Sequence, residues 1–120
     1  MLPGEDKTRD NRTRVAFINV HFISQTELDG AVARVQAKLH PDVVRIRHSI
    51  GSDTSGNESI FFRIVLSDPA SNASGLGAIT GHVASVIFDT IRPYENLGLI
   101  PYFTFRSNSE QAGRNEAEWN

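Results

Sequence analysis

The sequence predicts an α+β fold of the ferredoxin-like type, with one four-stranded antiparallel sheet and two helices on one face of it. Four segments carry apolar residues at every second position, and two carry them at helical spacing, in the order β-α-β-β-α-β. One sheet covered by two helices buries all of these apolar faces together. We predict an ordered domain over residues 14–107, between a flexible arm at 1–13 and a polar C-terminal tail at 108–120.

The first strand and the first helix are predicted from the run VAFINVHFI at residues 15–23 and the residues that follow it. The run alternates between two faces, as a strand does. Ser24 stands three residues before Glu27, which is the spacing of a helix capping box. An apolar stripe at helical spacing follows, and Pro41 ends the helix near His40. The stripe consists of Leu28, Val32, Val35 and Leu39.

The second and third strands are predicted at Asp42 to about Ile50 and at about Ser59 to Ser67. The segment GSDTSGN between them has the composition of a turn. Alternation places four residues of each strand on the core face. These are Val44, Ile46, His48 and Ile50 in the second strand, and Ile60, Phe62, Ile64 and Leu66 in the third.

The second helix and the last strand complete the pattern. Apolar residues recur at helical spacing from Leu76 to Ile91, up to Arg92-Pro93, and the last strand runs from about Pro101 to Arg106. A second arrangement of the same elements places the last strand at the other edge of the sheet, or exchanges it with a second copy of the chain.

Composition limits the class of protein. The 120 residues contain 39% hydrophobic and 22% charged residues, as one soluble globular domain does. The net charge of −2 argues against a protein that coats nucleic acid through charge alone. Neither a membrane span nor a secretory signal is recognisable, so a cytoplasmic location without membrane association is predicted. The absence of cysteine excludes thiolate nucleophiles and cysteine metal sites.

The sheet face without helices is the predicted binding surface. Arginine outnumbers lysine ten to two, and four arginines fall within the predicted strands. A planar, forked guanidinium suits a carboxylate, a phosphate or an aromatic partner. With Glu110 from the following segment, the predicted partner-binding residues are Phe17, His21, Arg45, Arg47, Phe61, Arg63, Arg106 and Glu110.

Three occupants of this face are considered. It is an interface covered by a second chain or by the arm and tail, a platform for single-stranded RNA or DNA in which bases stack on aromatic rings, or a bare solvated surface. The interface is favoured. Within it, the segment SNSE after Arg106 is expected to turn back and place a carboxylate or a serine hydroxyl near that guanidinium, with Glu110 as the carboxylate.

No catalytic, cofactor or metal site is predicted. The carboxylates of Asp53, Glu58 and Asp68 would have to converge to hold a hard cation, but turn chemistry explains Asp53 and Asp68. The four histidines are scattered singly, without the spacing of zinc ligands. No G-x-S-x-G sequence marks a serine nucleophile.

The segments SIFFRIVLSD and ENLGLIPYFTFRSNSEQ, separated by a helix, resemble small bacterial proteins of unassigned function encoded beside a helical HEPN-type partner, an arrangement similar to toxin–antitoxin pairs. The resemblance covers roughly residues 42–112, and its most specific parts are Phe62-Arg63 and Phe105-Arg106-Ser107 with Glu110. It implies a binding partner rather than an enzyme, and it does not distinguish an antitoxin from an accessory subunit. It supplies no catalytic residues.

These observations together predict a non-enzymatic interaction module. It would bind a protein partner, or a second copy of itself in a homodimer, through the open sheet face and the C-terminal segment. The alternative is a single-stranded RNA- or DNA-binding domain that uses arginine and phenylalanine on the same face.

Overall fold

The computed structural model describes residues 24–72 and 74–120. The strand predicted at residues 15–23, with Phe17 and His21, lies outside them. In chain order, the described elements are α1 (Gln25–Lys38), β1 (Val43–Ser52), β2 (Glu58–Leu66), α2 (Asp68–Asn72), α3 (Leu76–Ile91), α4 (Pro93–Leu97), β3 (Ile100–Ser107), α5 (Asn108–Arg114) and a 3-10 helix (Ala117–Trp119).

The sheet of the described residues has three strands in the order β1-β2-β3, and it is mixed. β1 and β2 form an antiparallel hairpin, whereas β2 and β3 are parallel and pair directly, from Ser59 with Ile100 to Leu66 with Ser107. The prediction of a four-stranded antiparallel ferredoxin-like sheet is therefore wrong. In that fold another strand separates the two that correspond to β2 and β3, and here the direct hydrogen bonding of β2 to β3 leaves no place for it.

The start of α1 confirms the capping box. The Ser24 hydroxyl accepts a hydrogen bond from the Glu27 N–H at 3.1 Å, and the Glu27 carboxylate accepts one from the Ser24 N–H at 2.9 Å. The reciprocal bonds satisfy N–H groups that the first helical turn leaves unpaired. Leu28, Val32 and Val35 are buried on the inner side of the helix, as the stripe predicts.

The start of β1 departs from simple alternation. Val43 pairs with Leu66 and Arg45 pairs with Val65, so a β-bulge leaves Val44 as the extra residue. Val43 is fully buried while Val44 is half-buried, which corrects the prediction that Val44 faces the core. Ile50, at the other end of the predicted core face, is 50% exposed.

The core lies between one face of the sheet and the helices α1 and α3. Alternation in β2 is confirmed, because Ile60, Phe62, Ile64 and Leu66 are all buried. They pack against residues of α1 and α3, and α3 contributes Val83, Ile87 and Ile91. Phe103 and Phe105 of β3 pack against the same cluster, and the ring of Phe103 stacks on Phe62 with centroids 5.5 Å apart. None of the described helices has the length and apolar character needed to span a membrane.

Candidate interaction face

Four arginines share the sheet face opposite the main core. Alternation along the strands places Arg45 and Arg47 of β1, Arg63 of β2 and Arg106 of β3 on this side. We call the surface formed by these four side chains the arginine face. Arg47 is paired directly with Arg63 across the strands. Like charges in that position destabilise a sheet unless other groups accept hydrogen bonds from them.

The C-terminal segment, residues 115–120, accepts hydrogen bonds from three of these arginines. The Nε of Arg63 donates to the main-chain oxygen of Glu118 at 3.2 Å, that of Arg45 to Trp119 at 2.8 Å, and that of Arg47 to Asn120 at 2.9 Å. Three guanidinium groups therefore bind the main-chain oxygens of three consecutive residues.

Arg106 binds side chains instead. Its two terminal nitrogens donate to the amide oxygen of Gln111 at 2.8 Å and to the carboxylate of Glu116 at 2.5 Å. Its guanidinium carbon also lies 4.1 Å from the centroid of the Trp119 ring, a cation–π contact. These partners leave the Arg106 side chain only 10% exposed.

Gln111 connects α5 to the C-terminal segment. It is 2% exposed, and its amide nitrogen donates to the main-chain oxygen of Glu116 at 2.9 Å and to the side chain of Asn120 at 3.1 Å. Together with its bond from Arg106, these contacts satisfy both ends of the buried amide. Burying an amide without such partners is costly. The arrangement therefore fixes the segment at a second point.

α5 is positioned by two hydrogen-bonding groups at its start. The Ser107 hydroxyl accepts from the Glu110 N–H at 3.0 Å, as an N-cap does. The carboxylate of Asp68 accepts from the N–H and the hydroxyl of Ser109, and these bonds hold the pKa of Asp68 below its usual value. α5 is thereby tied to the start of α2.

Trp119 supplies the apolar contact of the C-terminal segment. It is 4% exposed, and the 3-10 helix that carries it packs against β1 and β2. Val65 points to this side of β2 and is fully buried, yet it lies outside the main core cluster. A small second core therefore exists on the arginine face.

An aromatic pair occupies the uncovered end of the same face. The rings of Phe61 and Tyr102 stack with centroids 5.4 Å apart and 14° between their planes. The Tyr102 hydroxyl donates to the Asp53 carboxylate at 2.7 Å, which lowers the pKa of Asp53 and raises that of Tyr102. Tyr102 remains 41% exposed, beside a cavity of about 420 Å³ also lined by Ser52, Asp53 and Thr54.

The charge on the arginine face is only partly neutralised. Arg63 donates to the Ser49 hydroxyl at 3.0 Å with both terminal nitrogens. Among the residues that the structure describes, Arg106 forms an ion pair, whereas Arg45, Arg47 and Arg63 have none. The acceptors of Arg45 and Arg63 in the C-terminal segment are neutral peptide oxygens. A face with cations held by neutral acceptors attracts anions.

The structure brings together five of the predicted binding residues and separates a sixth. The five on one face are Arg45, Arg47, Phe61, Arg63 and Arg106. The expected contact between Arg106 and Glu110 is absent from the described hydrogen bonds and ion pairs: Glu110 pairs with Arg114 at 3.1 Å, one helical turn further along α5. A carboxylate does reach Arg106, but Glu116 supplies it.

Three residues of this surface escaped the sequence prediction, and each had a signal. Tyr102 has the same strand parity as Arg106, so alternation alone places it on the open face. The S-x-x-E spacing of Ser107 and Glu110 predicts the helix that carries Gln111. Trp119 is the only tryptophan of the chain and stands in a polar segment, where a large aromatic side chain needs a surface to pack on.

The remaining polar candidates do not assemble into a site. Glu58 begins β2 and Asp68 follows its end, roughly 30 Å away at about 3.3 Å per strand residue. In the described part of the chain, no group of three histidine, aspartate or glutamate side chains is arranged to hold a metal ion. The Nε2 of His48 in β1 lies 3.6 Å from the carboxylate of Asp29 in α1, and burial lowers the pKa of His48.

No protein-family model, curated protein or solved structure matches this chain.

Proposed function

We propose that this protein is an interaction module that binds a segment of another protein on its open sheet face. The observation that supports this most directly is that three arginines of the face hold consecutive main-chain oxygens of a polypeptide, its own C-terminal segment. A surface that binds one polypeptide in this way has the donors to bind another. Main-chain recognition of extended segments is a recurring mode of protein binding.

The uncovered aromatic pair gives the partner its anchor. Phe61 and Tyr102 lie beside Arg63, at the edge of the C-terminal segment. Aromatic and arginine side chains are the residues that most often dominate binding energy at protein interfaces. A partner segment that runs across the face would contact the stacked rings and then the guanidinium groups.

The proposal involves no catalytic step. Beside the guanidiniums the face carries the Ser49 hydroxyl, and no general base is hydrogen-bonded to that hydroxyl among the described residues. The Tyr102 hydroxyl does bind the Asp53 carboxylate, but this bond raises the pKa of Tyr102 and lowers that of Asp53, which makes them a weaker acid and a weaker base. The partner class we propose is a protein encoded beside this one, in an antitoxin-like pair, or a second copy of the chain.

Single-stranded RNA or DNA is the second candidate ligand. It is favoured by one observation, the stacked Phe61 and Tyr102 rings beside Arg63 at the uncovered end of the arginine face. Bases stack on exposed rings with about 1–3 kcal/mol per base, and arginines bind phosphates. Protein is preferred because the guanidiniums of the arginine face already bind polypeptide.

Photo-crosslinking from position 102 tests this function. In the producing cell, p-benzoylphenylalanine replaces Tyr102, and a matched variant carries it in place of Tyr94 on α4, which is 68% exposed and lies away from this face. We expect protease-sensitive adducts from position 102 and none from position 94. Adducts removed by nuclease would select the second candidate. Equal labelling from both positions, or none, would contradict both functions.

A further inference from the structure

We infer that the C-terminal segment is a displaceable in-chain ligand of the arginine face, and that the partner segment replacing it is acidic and carries an aromatic residue. This inference rests on the function proposed above, and it adds the chemistry of the partner and the means by which the face is opened.

The contacts of the C-terminal segment indicate that it can leave without unfolding the domain. Trp119 is its only buried residue, and residues 115–118 and 120 are exposed. The main core between the sheet, α1 and α3 does not include Trp119. Regions with few buried apolar contacts open locally at a lower free energy than the rest of a domain.

The charges of the face indicate what would replace the segment. Arg45 and Arg63 donate to neutral peptide oxygens, and the described residues give these two no carboxylate. A carboxylate accepts two parallel hydrogen bonds from a guanidinium, and it adds an attraction between opposite charges that a neutral oxygen lacks. An acidic segment would therefore exchange weaker interactions for stronger ones at Arg45 and Arg63.

The in-chain ligand itself shows the second requirement. Its Glu116 pairs with Arg106, and its buried Trp119 ring lies over the same guanidinium. The segment thus combines a carboxylate with an aromatic ring at Arg106. A competing segment needs both groups to take over both contacts, because a ring alone leaves the cation without its carboxylate.

The experiment uses the full chain and its single tryptophan, Trp119, whose fluorescence reports the position of the segment. The probe is a blocked pentapeptide of four glutamates around one phenylalanine, which contains no tryptophan. We expect a saturable shift of Trp119 emission to longer wavelength as the ring becomes exposed. A pentapeptide with four glutamines around phenylalanine and one with four glutamates around alanine should each require at least about tenfold higher concentration.

Substitution assigns the site. Arg47→Gln should weaken the response to the acidic probe about tenfold, because it removes a guanidinium that binds carboxylates. The position is suitable because Arg47 contacts the segment only through Asn120. The matched control is Arg92→Gln, an exposed arginine between α3 and α4 that pairs with Glu95 and should leave the response unchanged. Equal effects of the two variants would overturn the assignment.

The outcomes separate this inference from the proposed function. If a fluorescein-labelled copy of the acidic probe binds while Trp119 emission stays constant, the segment is not displaced and the inference is wrong, although crosslinking from position 102 still decides the function. If a ten-nucleotide oligo-dT shifts the emission and the acidic probe does not, the partner class is overturned in favour of nucleic acid. No response to either probe also overturns the inference.

Discussion

Arg106 uses the full geometry of its guanidinium. One terminal nitrogen binds Gln111, the other binds Glu116, and the flat face lies over Trp119. A lysine ammonium is a compact charge that cannot make the forked pair and the stacked contact together. We therefore expect Arg106→Lys to lower the free energy of unfolding by about 1–2 kcal/mol, measured by urea denaturation.

Arg114→Lys provides the control for this substitution. Arg114 pairs with Glu110 within α5, and its side chain is 54% exposed. Exposed helical pairs of this kind contribute about 0.3–0.5 kcal/mol. An equal loss of stability in the two variants would show that the fork of Arg106 adds nothing beyond its charge.

His48 gives the domain a pH dependence near neutrality. Its side chain is 14% exposed, and burial is the largest cause of its lowered pKa, assisted by Arg63 and opposed by the nearby Asp29. Because the folded pKa lies below the unfolded value of about 6.5, protons bind the unfolded chain more readily. Stability is then complete above about pH 6.5 and falls as the pH decreases through the folded pKa.

Thermal unfolding between pH 7.5 and 5.5 measures this effect. We expect the melting temperature of His48→Gln to change less over this range than that of the unsubstituted protein. His82→Gln, at an exposed position on α3, should retain the full change. The lowered pKa values of Asp53 and Asp68 act below about pH 4 and do not contribute in this window. Parallel profiles for all three proteins would rule out His48 as the source.

At the scale of the element, the β-bulge in β1 decides which of two adjacent valines belongs to the core. Val43 is fully buried and Val44 is half-buried. Val43→Ala should lower the free energy of unfolding by about 2 kcal/mol, whereas Val44→Ala should cost less than about 1 kcal/mol. Chemical denaturation of the pair measures the difference. The reverse order would place the bulge elsewhere.

Local sequence signals predicted most of the described elements but not how they are joined. The capping box at Ser24 and alternation in β2 involve neighbouring residues only, so both are readable and both are confirmed. A bulge adds one residue to a strand, and the side chains around Val44 carry no sign of it. For that reason the prediction that Val44 faces the core was wrong. The helix α5 was missed because its residues are polar and show no apolar stripe, although its cap has the same spacing as the cap at Ser24.

The topology could not be derived because β-α-β-β-α-β order is compatible with more than one sheet. Whether β3 pairs with β2 depends on contacts between distant segments, such as Phe62 with Phe103. The candidate site shows the same limit. Alternation predicted that four arginines share a face, but the contacts of Arg45, Arg47 and Arg63 lie 55–74 residues away in sequence. No spacing rule covers such distances.

At the scale of the whole molecule, stability is expected to be uneven. The N–H groups of Trp119 and Asn120 donate to Glu116 and Ala117 within the C-terminal segment, whereas those of β2 belong to a strand paired on both sides. Hydrogen exchange of the two terminal amides should proceed by local opening, several kcal/mol below the free energy needed for the amides of Ile60 to Leu66.

Low concentrations of denaturant distinguish local from global opening. Exchange at Trp119 and Asn120 should be nearly independent of denaturant, since little surface is exposed, while exchange in β2 should accelerate with it. If the terminal amides share both the protection and the denaturant dependence of β2, the C-terminal segment unfolds only with the domain.

The order of strands in the sheet also sets a sequence of events during folding. β1 and β2 are joined by a five-residue turn at 53–57, whereas 33 residues, 67–99, separate β2 from β3. Closing the short hairpin costs less chain entropy than closing the long connection, so the hairpin can form while β3 is still unattached. During that interval the long edge of β2 is unpaired, and a β3 strand from a neighbouring molecule fits it as well as the chain's own. Refolding at high protein concentration should therefore yield more domain-swapped dimer than refolding by slow dilution. In such a dimer each β3 completes the sheet of the other molecule.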